Sequence, residues 1–72
     1  MAYDYSKLLG RIIEKFGTQA KFSTKLGLSE RSLSLKLNGK TGFKQDEIHK
    51  ACELLGLAGT DIPAYFFTRK VQ

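Results

Sequence analysis

Apolar residues along the chain recur at helical rather than alternating spacing, and no strand-like run exceeds a few residues. Leu8, Leu9, Ile12, Ile13 and Phe16 form one stripe, which predicts a first amphipathic helix. Asp4 or Ser6 can cap its start, and Gly17 stands where a left-handed residue ends a helix. Gly10 inside this helix costs about 1 kcal/mol relative to Ala, an expense that close approach of a neighbouring helix would explain.

Thr18 caps a second, short helix running through Leu26, with Phe22 and Leu26 one turn apart on its inner side. Gly27 breaks it. Ser29 opens a third helix from Glu30 to about Leu37, which Asn38-Gly39 ends, and Thr41-Gly42 reads as a loop. A fourth helix spans about Gln45 to Leu55, turning Ile48, Ala51, Cys52 and Leu55 inward, and stops at Gly56. Lys44 offers it no capping oxygen, but Asp46 and Glu47 suit the positive end of its dipole. Ala58-Gly59-Thr60 is a loop. Asp61, Ile62 and Pro63 start a last short turn of helix through Phe67. The expectation is an all-α fold, a compact bundle of four to five short helices forming a single domain over residues 1–72.

Length and composition narrow the chemistry. Seventy-two residues at 42% hydrophobic suffice for one small core. One Cys and one His cannot make an internal disulfide or complete a zinc site, and neither a metal nor a cofactor is expected. His49 reads as an ordinary polar helix residue and Cys52 as a small core residue. No apolar run approaches the ~20 residues that span a bilayer, so no membrane association is expected and a soluble, intracellular setting is the simplest reading. Paired carboxylates, a nucleophile–base set and a phosphate-binding glycine loop are all missing, which argues against an enzyme with a small-molecule substrate.

The net charge of +5 is unevenly placed. Between Lys15 and Lys44 seven bases face the single acid Glu30, whereas the remainder has five bases and six acids. A basic central window favours a polyanionic partner, though a solvated basic surface has the same composition.

That window contains Gln19-Ala-Lys-Phe-Ser-Thr-Lys-Leu-Gly-Leu-Ser-Glu-Arg-Ser-Leu-Ser-Leu-Lys-Leu-Asn38-Gly39, a helix-turn-helix pattern covering about residues 18–38. Phe22, Leu26, Leu28 and Leu33 are spaced to fill the wedge between two short helices. Ser23 is small enough for the helices to cross closely, and Gly27 allows the positive φ of a tight turn. The stretch resembles the phage Cro/repressor (XRE-like) helix-turn-helix family: Gln19 opens the motif, Leu26-Gly27-Leu28-Ser29 makes the turn, and Asn38-Gly39-Lys40 follows Leu33. Phe43–Leu57 and Ile62–Phe67 resemble that family's fourth and fifth helices, so the likeness covers nearly the whole chain. Length and ending are similar to small Cro-like or repression-modulating proteins of temperate phages of Gram-positive bacteria, which would make the setting the cytoplasm of a bacterial host.

The resemblance implies a sequence-specific DNA-binding regulator, a Cro-like repressor of lysis/lysogeny promoters binding double-stranded operator DNA as a homodimer. By position, Glu30, Arg31, Ser32, Ser34 and Leu35 would read bases, Arg31 by a bidentate guanine contact. Gln19, Asn38 and Lys40 would contact phosphate, joined by Lys25, Lys36 and Lys44 from the basic cluster. A helical wheel at about 100° per residue from Leu33 puts Ser34, Asn38, Arg31 and Leu35 at about 100–200°, opposite the core.

Three departures support a different role. Glu30 is an acid where the family more often carries an amide, Lys36 occupies a commonly aliphatic position, and Leu35 is apolar on the outward side. Tyr65, Phe66 and Phe67 crowd the C-terminal end, and at least one of the two phenylalanines is left for a dimer or partner interface. The alternative expectation is therefore a modulator of repression, an antirepressor that binds a partner phage repressor protein and changes its DNA occupancy.

Overall fold

The first helix, α1 (Ser6–Phe16), follows an extended start in which the Ser6 N–H donates to Asp4 Oδ1 at 2.8 Å. In the computed structural model, which describes residues 3–70, α1 is followed by α2 (Gln19–Leu26), α3 (Glu30–Leu37), α4 (Gln45–Leu55), a single 3₁₀ turn (Gly59–Asp61) and α5 (Ile62–Phe66). The fold is all-α, as the hydrophobic spacing predicts, and measures 31 × 26 × 22 Å. The Ala58–Thr60 stretch is partly helical rather than pure loop, because the Ala58 N–H donates to Asp61 Oδ2 at 2.9 Å and closes the turn.

Local chemistry fixes the boundaries. Thr18 Oγ1 accepts from the Lys21 N–H at 3.1 Å, and Ser29 Oγ from the Ser32 N–H at 3.0 Å, satisfying donors that a helix start leaves unpaired. Between α2 and α3 the chain reverses in three residues. Gly27 makes this possible with φ +85°, its N–H and that of Leu28 both returning to the Ser23 carbonyl at 2.9 Å. Ser23 itself is buried and donates its hydroxyl to the Ala20 carbonyl, so its small side chain leaves nothing unsatisfied.

Leu8, Ile12, Phe22, Leu26, Leu33, Ile48, Ala51, Cys52, Leu55 and Phe66 form one core drawn from every helix. Burial pushes the Cys52 thiol above its ordinary range, with the charge of Asp61 adding to this. The α1 stripe is only partly used: Leu8 and Ile12 are buried, while Ile13 remains 46% exposed. Gly10 does not mark a close helix crossing, because a Cβ there meets nothing within 4 Å. Arg11 ties α1 to α4 by donating from Nε to the Leu55 carbonyl at 3.1 Å. The segments Tyr3–Asp4 and Thr68–Arg69 lie side by side, Tyr3 and Arg69 forming an isolated antiparallel pair and the Asp4 N–H donating to the Thr68 carbonyl at 2.7 Å.

Candidate functional site

Helix α3 is held to the body by Leu33 and Lys36, which are both buried, and by Leu37, which packs against the core, so Glu30, Arg31, Ser34 and Leu35 are left on its outward side. Glu30, Arg31, Ser34 and Leu35 come together around a shallow, open depression. Glu30 and Arg31 are exposed, and Leu35 is half-buried, leaving apolar surface between an acid and a base. Ser32 is turned aside, its N–H and hydroxyl engaged with Ser29.

Lys36 differs from its sequence assignment. It is only 8% exposed, and its Nζ donates to the Gly42 carbonyl at 2.8 Å and pairs with Glu47 Oε1 at 3.1 Å. The same carboxylate oxygen accepts the Lys44 N–H at 2.9 Å, completing the start of α4 that Lys44 cannot cap for itself. A lysine whose stem is buried and whose charge is met internally cannot serve as a phosphate contact. Sequence reasoning missed this lock, although the signal was there: Lys36 lies about 60° from Leu33 on the wheel, on the core side.

The other expected contact residues divide among separate places. Gln19, Ser34 and Asn38 share a polar cleft with Asp4 and Ser6, and Asn38 Nδ2 lies 3.4 Å from Ser34 Oγ. Lys25 is exposed at the opposite end of α2. Lys40 and Lys44 are exposed in and after the α3–α4 loop.

Of the C-terminal aromatics, Phe66 is 1% exposed and belongs to the core, which removes it from any interface. Five residues of α5 suffice to carry it under α1 and α4. Phe67 remains 49% exposed, and Tyr65 is half-buried with Lys7 Nζ 5.0 Å from its ring centroid. A chain of edge contacts, not visible in the sequence, links Phe67 to Tyr3 (5.7 Å), and Tyr5 to Phe43 (5.4 Å) and on to Phe66 (5.3 Å). Burial, and to a lesser extent Tyr3, pushes the Tyr5 hydroxyl above its usual range.

Among the described residues no cluster of His, Cys, Asp or Glu is arranged to hold a metal, and no helix is long and apolar enough to cross a membrane. Fold and site together define a small all-α protein with an open depression on α3 lined by Glu30, Arg31, Ser34 and Leu35.

The chain belongs to the family described as "Protein of unknown function (DUF739)", which matches residues 1–69. It is also similar to the modulator of repression (MOR) of the temperate bacteriophage TP901-1 from Lactococcus lactis, known from a solution structure. The two are 58% identical over 100% of this chain and 97% of that one, with a TM-score of 0.81. A comparison with curated proteins gives no match. The likeness overturns the expectation of a Cro-like DNA-binding repressor: of the two roles the sequence suggested, it falls on the modulator. The surface agrees, since α3 opens with the acid Glu30, carries Leu35 outward and withholds Lys36.

Proposed function

We propose that this chain is a modulator of repression, which binds a phage repressor protein through the outward side of α3 and so changes that repressor's occupancy of DNA. It acts by binding, not by catalysis, inside the bacterial host. The observation that carries this reading is the 58% identity, along the whole chain, to a phage modulator of repression. The α3 surface supports it chemically. Leu35 supplies apolar area that a protein partner buries, and Arg31 beside it is of the type that most often anchors interfaces. Glu30 repels phosphate but accepts hydrogen bonds from a protein partner's cations. The excess positive charge favours a partner with an acidic surface and speeds encounter with it. If this chain binds the free and the operator-bound repressor with different affinities, the repressor's affinity for its operator shifts by that ratio.

A repressor–operator gel shift with increasing amounts of this chain tests the reading. The repressor's apparent operator affinity should change saturably with the wild type, and the Leu35→Lys chain, although it folds normally, should need roughly tenfold or more the concentration for the same change. An unaltered shift at saturating wild-type chain would refute the proposal, as would full activity of Leu35→Lys.

A further inference from the structure

The four outward residues of α3 fall into two pairs one turn apart, and the two turns are held differently. Glu30 and Arg31 belong to the first turn, which Ser29 caps through the Ser32 N–H. Ser34 and Leu35 belong to the last. A helix of eight residues is too short to persist without tertiary support. Beyond Leu33, the last turn is supported by Leu37 against the core and by polar contacts from the α3–α4 loop. The Lys40 N–H donates to the Leu35 carbonyl at 2.9 Å and the Gly39 N–H to the Lys36 carbonyl at 3.1 Å. Lys36 Nζ then fastens the far end of that loop by the Gly42 carbonyl and the start of α4 by Glu47.

Among the described residues this is the only salt bridge that joins two helices, and its side chains are just 10% and 13% exposed. Such a pair is a poor source of stability, because replacing both partners by uncharged side chains of similar volume is often neutral or stabilising. Its geometry is another matter. Lys36 Nζ must meet a carboxylate and a carbonyl at once, and Glu47 must meet Lys36 and the Lys44 N–H at once, so the loop has one position in which every group is satisfied. An apolar side chain in place of Lys36 would fill the same space without fixing that position. The loop in turn closes on the carbonyl of Leu35, the residue whose side chain gives the outward side its apolar area.

We propose that the Lys36–Glu47–Gly42 lock positions the last turn of α3, so that Leu35 is offered to the repressor in one fixed geometry. Lys36 is then a positioning residue that touches no partner itself, and its role rests on the reading of α3 given above. The test compares the wild type with Lys36→Met/Glu47→Gln, in which Met fills the lysine's space and Gln keeps an oxygen for the Lys44 N–H. Without any partner, amide hydrogen exchange at Asn38, Gly39, Lys40 and Thr41 should quicken roughly tenfold, while Phe22 and Leu33 exchange as in the wild type. In calorimetric titration the variant should bind the repressor roughly three- to tenfold more weakly, at an unchanged melting temperature. A second comparison separates positioning from general loosening. Leu35→Ala should weaken binding by a factor roughly threefold smaller in the unlocked chain than in the wild type, whereas Arg31→Ala should weaken both chains equally. Repressor binding at wild-type strength by Lys36→Met/Glu47→Gln overturns the lock and leaves the α3 reading standing. Equal Leu35→Ala factors in the two chains, or exchange that quickens throughout the molecule, also overturn it by making the pair merely structural. No binding by the wild type overturns the lock and the α3 reading together.

Discussion

Arg31 and Lys36 stand on the same eight-residue helix with the same charge, yet one faces solvent beside Leu35 and the other is locked to Glu47 and Gly42. Phe66 and Phe67 repeat the contrast in adjacent positions, one 1% and the other 49% exposed. In both pairs residue type is constant and the direction imposed by the helix decides the role. Charge or aromatic content summed over a window therefore says little about a surface until the inward residues have been subtracted.

The inward members should carry the stability; of the outward ones, Arg31 lies on the proposed binding side of α3 and Phe67 does not. Phe66→Ala has the largest expected effect, about 3–5 kcal/mol, which is comparable to the whole stability of about 4–11 kcal/mol expected for a domain this size. Urea unfolding of that variant should show a much lower midpoint, whereas Phe67→Ser should unfold like the wild type. Lys36→Ala leaves the Glu47 carboxylate and the Gly42 carbonyl without their partner, and should cost about 2–3 kcal/mol by the same assay. Arg31→Ala, at equal change of charge, should fall within about 0.5 kcal/mol of the wild type. A result in which these two variants cost the same would erase the distinction between the two sides of α3.

Much of this fold was legible in the sequence, and the reasons are local. The caps Thr18 and Ser29, the left-handed Gly27 and the stripes through Leu8, Ile12 and Leu33 each act within one or two turns, so the chain alone announces them. What escaped depends on residues far apart in sequence. Lys36 meets Glu47, Arg11 meets the end of α4, and Tyr3 meets Phe67 only after the helices have packed. The candidate site was half legible. The outward position of Arg31, Ser34 and Leu35 followed from the wheel, but residues that face outward on such a helix serve DNA and protein partners alike. The Cro-like reading went too far at that step, and the clues against it, Glu30 and Leu35, were in the motif itself.

Smaller effects sharpen the picture. Gly10 faces open space in the middle of α1, so Gly10→Ala should raise stability by about 0.5–1 kcal/mol, seen as a higher urea midpoint. The folded state also favours the neutral forms of Tyr5 and Cys52, whose pKa values are raised chiefly by burial. That contribution is complete below their unfolded-state values and is lost as pH rises through the raised folded-state values. Thermal midpoints should accordingly decline on the alkaline side, and Tyr5→Phe should flatten part of the decline.

The central claim, that the outward side of α3 binds a phage repressor, is tested most directly by calorimetric titration of that repressor with the wild-type, Leu35→Lys and Phe67→Ser chains. Saturable binding that Leu35→Lys weakens roughly tenfold or more, with its melting temperature unchanged and Phe67→Ser at wild-type strength, is the predicted result. Wild-type affinity in Leu35→Lys, or no binding by the wild type, would contradict it.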